Sequence, residues 1–206
     1  MKKHILAFCL CLGMFFGFTG CSQSKLERFS DDEALLLVNG EIIMTALDFK
    51  RLTIQHTVSH DIKKTEVLSE KKLFIQQAQI ALLSYFATEY GLAYDRSALE
   101  EEYDAHMLEI QDTELYGNEL LFATTLQGAL GMDNTTFRTW SINESIKDYN
   151  IDALLEDLAL LYTHITDEEI LKEFMQENLL HLYEIYEVEI CYPGVTVKDL
   201  DFSESL

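Results

Sequence analysis

One proline, Pro193, and nine glycines in 206 residues leave few places for the tight turns that repetitive all-β folds need. That shortage favours a mainly helical chain. Cations are scarce too: 15 lysines and arginines stand against 36 carboxylates, a net charge of −21, with no basic cluster after the N-terminus. Nucleic acid is excluded as a partner, because binding it requires cationic groups to displace phosphate counterions. The same acidity resists adsorption onto anionic lipid and keeps a protein outside the cytoplasm dissolved. The four cysteines, Cys9, Cys11, Cys21 and Cys191, form no C-x-x-C pair for zinc or redox chemistry. There is also no G-x-S-x-G elbow, Walker loop or G-x-G-x-x-G turn, so nucleophilic and nucleotide chemistry have no visible seat. The expectation is a chain with no catalytic residues, no metal and no cofactor.

What is present begins with a leader. Met1-Lys2-Lys3-His4 is a short positive segment, and residues 5–18 are a nearly unbroken apolar run. That run suits the core of a signal peptide over residues 1–20 and falls short of the roughly 20 residues a spanning helix needs. Phe18-Thr19-Gly20-Cys21 resembles the bacterial lipobox, with Phe18 where leucine is commonest. On that resemblance the Cys21 thiol carries a diacylglycerol, the chain is cleaved before it, and Cys21 is residue one of the mature protein. Several acyl chains anchor stably, each buried CH₂ contributing about 0.8 kcal/mol. The alternative is an ordinary secretory leader with Cys21 as a free thiol. Cysteine usage agrees with lipidation, since only Cys191 is then left and no internal disulfide can form.

Residues 21–33 are polar and without periodicity, as in a tether between lipid and domain. The expected domain, 34–206, opens with an apolar run, Asn39-Gly40, and a second apolar run, the pattern of a hairpin. Thr45 and Asp48 have capping spacing for a first helix. A second helical pattern covers 66–90, with Val67, Phe74, Ala78, Leu82 and Tyr85 on one face and Gly91 as its stop. Asp95 caps an acidic helix to about 111, with Leu99, Tyr103 and Met107 as its stripe. Residues 113–130 read as another helix, ended near Gly131, and Asp133 or Asn134 opens the next, which carries Phe137 and Trp140. From Asn150 an amphipathic stripe runs through Ile151, Leu154, Leu155, Leu158, Leu161 and Tyr162. Thr166 and Glu169 form a capping box for a helix to about 180, and Tyr186, Val188 and Ile190 then alternate as in a strand. The fold class is thus mainly α: about six helices closed by an N-terminal hairpin paired with a C-terminal strand. Neither of these two strands has another strand of comparable quality to satisfy its backbone groups. This closure makes one unit of residues 34 to about 197.

Several local sequences in this order resemble the chaperone part of the SurA/PrsA family, which is related in architecture to the substrate-binding part of trigger factor. Val38-Asn39-Gly40-Glu41 followed by Ile43 matches the family's opening strand and turn, with Asp48-Phe49 one residue later than its usual acidic-apolar pair. The stretch 82–104 resembles its long helix, terminal glycine and capped acidic helix; 131–140 resembles its Gly-to-Trp segment. Residues 165–178, "ITDEEILKEFMQEN", resemble the helix before its parvulin prolyl-isomerase module. The resemblance covers residues 34 to about 190. A parvulin module is much longer than the tail from Cys191 to Leu206, so no isomerase activity is implied.

Other candidates for chemistry are weak. His56 and His60 have metal-sharing i, i+4 spacing but lack the glutamate of the catalytic zinc motif. His106, His164 and His181 show no partner at a telling spacing. Glu100-Glu101-Glu102 and Asp167-Glu168-Glu169 sit in first turns of helices, where acid favours the dipole. Cys191 has no basic neighbour to activate it. Tyr103, Met107, Tyr116, Phe122 and Trp140 can line a groove for unfolded segments, or serve as ordinary core. The expected function is a lipid-anchored, ATP-independent chaperone-like module on the extracytoplasmic face of a bacterial membrane. It binds unfolded or partly folded secreted polypeptides and has no prolyl isomerase activity. The alternative is a scaffold lipoprotein with one folded partner.

Overall fold

A computed structural model describes residues 24–161 and 168–200. Two strands, β1 (Ala34–Val38) and β2 (Glu41–Thr45), lead into five helices: α1 (Ala46–Lys63), α2 (Glu70–Glu89), α3 (Arg96–Glu109), α4 (Thr113–Leu130) and α5 (Asn134–Leu161). A sixth helix, α6 (Glu168–Ile185), strand β3 (Val188–Ile190) and a 3₁₀ turn (Val197–Asp199) complete the described chain.

The hairpin forms for the reason its sequence suggests. Asn39 and Gly40 both take positive φ, 51° and 78°, which a two-residue turn matched to strand twist requires. β1 is the central strand of an antiparallel β2-β1-β3 sheet, with Leu36 opposite Ile190 and Val38 opposite Val188. The pairing of the two chain ends is therefore as expected. It extends past β3, because the Asn39 N–H donates to the Tyr186 carbonyl at 3.1 Å. Tyr186 itself lies outside the strand. Leu35, Leu36 and Val38 are fully buried, as a central strand demands.

Thr45 and Asp48 make a reciprocal capping box at the start of α1. Gly91, at φ 75°, lets Leu92 N–H reach the Ala87 carbonyl and Gly91 N–H reach that of Thr88, closing α2. Asp95 caps α3, its carboxylate accepting the Ser97 N–H. Asp133, not Asn134, caps α5 by accepting the Thr136 N–H at 2.7 Å.

Four readings change. The second helix starts at Glu70, not 66: the Ser69 hydroxyl accepts the Lys72 N–H, and Val67 lies before the helix, 64% exposed. The amphipathic stripe from Asn150 is the second half of one long α5. Buried Asn150 can sit mid-helix because its side chain is hydrogen-bonded across to α2 and the loop after it. α6 runs to Ile185, beyond the expected 180. Finally, residues 24–33 do not hang free as a tether. Leu26 is 5% exposed, and Phe29 packs against the core. The carbonyls of Glu33 and Asp31 accept the first N–H groups of α1, from Ala46 and Leu47. Two apolar residues three apart suffice to dock a segment that reads as polar. Cys21, the leader, Tyr162, Thr166 and residues 201–206 lie outside the described residues.

The main core joins the sheet to α1, α2, the C-terminal half of α5 and α6. At its centre Tyr192 stacks on Phe74 (centroids 4.3 Å apart) and meets Phe49 edge-on at 5.7 Å. The Tyr192 hydroxyl donates to Glu70, which also accepts from the Ser24 hydroxyl and the Lys25 N–H. A separate, smaller core of Val58, Leu126, Phe137 and Trp140 joins α1, α4 and α5. The main core thus holds the chain ends together, and the smaller one holds α4 against α1 and α5.

Candidate functional site

α3 and α4 meet at an elbow. Ile110, 2% exposed, pins it, and Asp112 caps α4 by accepting the Glu114 N–H. On α4, Glu119, Phe122, Ala123 and Leu126 fall at helical spacing on one face, turned toward α3 and α5. Between these three helices and α1 lies a groove of about 480 Å³. Its floor is Ile110, Leu126, Phe137 and Trp140, all nearly buried. Its walls are the half-buried Tyr103, Met107 and Phe122. Of the five residues offered as either groove lining or ordinary core, Tyr103, Met107, Phe122 and Trp140 are together here. Tyr116 is not among them. An unbroken helix would carry the Glu119–Leu126 face back to Tyr116, but its own backbone is non-helical (φ −121°, ψ 22°) and takes it out of phase.

Trp140 is a shared wall. On its other side a second recess of about 500 Å³ opens between β2, α1 and α5, lined in part by Met44, Leu52, Met132 and Lys147. At the elbow and along α4, Leu108, Leu115 and Leu121 are 76%, 74% and 52% exposed.

The rim of the groove is polar, with Glu119, Glu144 and Asp148 standing among Gln55, Lys63, His106, Ser141 and Ser145. The Lys63 ammonium stands 4.1 Å over the Phe122 ring, a cation–π contact. His106 lies 3.4 Å from Glu119, bridging α3 and α4. Lys147 pairs with Glu144 at 2.8 Å. Asp148 is open to solvent at the mouth, yet the protein packed around its carboxyl pushes its pKa up, helped by Glu144 and Asp152. It makes no ion pair among the described residues.

α3 is held to α5 outside the groove. Arg138 grips Asp104 through two hydrogen bonds of 2.7 and 2.8 Å. Tyr94 and Tyr149 stack 4.4 Å apart, and both hydroxyls donate to Glu102. So Glu100, paired with Arg96, and Glu102 serve the scaffold. Of the second acidic triplet, Asp167 lies outside the described residues.

The histidine pair is also occupied. His56 Nε2 accepts the Leu68 N–H at 3.0 Å, and His60 Nδ1 is 2.7 Å from the Thr65 carbonyl, which it meets as donor. Both fix the α1–α2 connection. Among the described residues no three His, Cys, Asp or Glu side chains converge as metal ligands do. His181 lies 3.9 Å from Glu184, and His164 is outside the described residues. Cys191 is exposed; partial burial of its thiol, then Glu189 and Glu33, push its pKa up, the reverse of an activated thiolate. Sequence reasoning missed Lys63, Glu119 and Asp148 at the rim, because only the packing of separate helices brings them together.

No helix among the described residues is long and apolar enough to cross a membrane. Comparison with protein-family models, with curated proteins and with solved structures finds no match for this chain.

Proposed function

We propose that this chain is a lipid-anchored, ATP-independent chaperone-like protein, held at Cys21 on the extracytoplasmic face of a bacterial membrane. It holds non-native secreted polypeptides in the groove between α3, α4 and α5. In this reading it is a relative of the SurA/PrsA chaperones without their prolyl-isomerase chemistry. The observation that carries it is the wall of Tyr103, Met107 and Phe122 above a floor of nearly buried apolar side chains. Methionine and aromatic side chains adapt to many apolar shapes, which a holder of varied clients needs and a single-substrate site does not. Binding is driven by apolar burial, which offsets the ordering cost of the client; release follows when the client folds.

The test uses the full chain reconstituted in phosphatidylcholine vesicles. It should slow aggregation of several denatured proteins at near-stoichiometric ratio without ATP, and the double variant Tyr103→Glu/Met107→Glu should not. A test prolyl bond should isomerise at the uncatalysed rate, over about tens to hundreds of seconds at ~25 °C. A fatty-acid probe should label the wild type and not Cys21→Ser. Equal labelling of the two would remove the anchor. Failure to suppress aggregation across clients would transfer the reading to a scaffold with one folded partner.

A further inference from the structure

We infer that the groove selects apolar segments flanked by lysine or arginine, with Asp148 as the carboxylate that receives the cation. This rests on the reading of the groove as a site for non-native segments.

The three helices that form its walls, α3, α4 and α5, carry three lysines and arginines against twelve carboxylates. All three cations are already paired: Arg96 with Glu100, Arg138 with Asp104, and Lys147 with Glu144. On the rim itself, Glu144 has Lys147 and Glu119 has His106. Asp148 has Glu144 and Asp152 as neighbours of its own sign and, as its one neighbour of opposite sign among the described residues, Lys147, which is held by Glu144; it lies beside Ser145 at the rim that Gln55 of α1 also lines. Lys63, the one full cation lining the groove, is placed over the Phe122 ring and forms no ion pair among the described residues. The apolar floor and Asp148, which forms no ion pair among the described residues, therefore face the same space, between helices whose own cations are all held by carboxylates while Lys63 is engaged on an aromatic ring. A ligand that fills the floor brings its flanking residues to the rim. There a cation removes like-charge repulsion that the free protein carries, while an anion adds to it. Apolar burial supplies the affinity and charge supplies the selection.

The test compares two labelled peptides with identical apolar centres, one flanked by lysines and one by glutamates. Each is titrated into the full chain in phosphatidylcholine vesicles, with anisotropy as the readout. The lysine-flanked peptide should bind about tenfold more tightly at low salt, and the two should converge near 1 M salt, where the screening length falls to about 3 Å. Asp148→Asn should cut the preference to about threefold and leave the salt-insensitive part of binding in place, which also reports that the groove is intact. Equal binding of the two peptides at low salt, or an undiminished preference in Asp148→Asn, overturns the inference and leaves the groove reading standing. If neither peptide binds, the groove reading falls and the inference falls with it.

Discussion

Asn150, 3% exposed in the middle of α5, accepts the backbone N–H of Tyr94 at 2.8 Å and donates to the Ser84 hydroxyl of α2 at 3.2 Å. One amide thus ties the loop that precedes α3 to α5 and α2. Asn150→Leu leaves a buried N–H without its acceptor, a loss of about 2 kcal/mol. In thermal unfolding the Tm should fall by about 4–8 °C. Because the Tyr94 loop sets where α3 begins, peptide affinity should fall as well. A variant that melts like wild type would mean that water or a shifted loop replaces the bond.

The sheet predicts a second outcome. β1 has β2 on one side and β3 on the other, and Tyr192, Val195 and Leu200 beyond β3 are buried in the main core. A chain that ends before Glu184 loses the edge partner of β1 and these three residues together. It should lose its cooperative thermal transition. If it melts as sharply and as high as the intact chain, the two ends are independent and the closure argued for the fold is wrong.

The pairing of those ends was legible because each strand signal had no better partner in the chain. The caps at Thr45 and Asp95 and the turn at Asn39-Gly40 were legible because each is a local contest among neighbouring residues. Leu26 and Phe29 were not, since two apolar residues in a polar stretch announce no period, and only the surfaces they meet decide whether they dock. Asn150 was misleading for the opposite reason: a polar residue before an apolar stripe looks like a helix start, whereas its partners come from elsewhere in the chain. The groove was half legible. Helical spacing identifies Tyr103 and Met107 as a stripe, but it does not say what faces them, and the kink at Tyr116 appears in no periodicity.

Glu70 predicts a pH dependence. Partial burial raises its pKa, and hydrogen bonds from Ser24, Tyr192, Leu26 and Lys25 outweigh that and hold it below the ordinary 4.5. A carboxylate with a lowered folded pKa contributes stability that is present above about 4.5 and lost as pH falls through the lowered value. Glu70→Gln gives up charge-assisted hydrogen bonds and should cost about 1–2 kcal/mol near neutrality, and its Tm should fall less steeply than wild type as pH is lowered below about 4.5. Parallel acid profiles for the two proteins would show that Glu70 does not hold the N-terminal segment as described.

The space beside Trp140 is proposed to hold non-native segments, and the chain supplies its own reporter: Trp140 is its single tryptophan and forms the wall shared by the two recesses. The measurement is its emission while an unfolded client is titrated into the vesicle-bound chain, with the client free of tryptophan. Binding in the groove should give a saturable change in wavelength or intensity that follows the same isotherm as client co-sedimentation and is absent in Tyr103→Glu/Met107→Glu. Client that sediments with the vesicles while Trp140 emission stays constant would place binding elsewhere and contradict it.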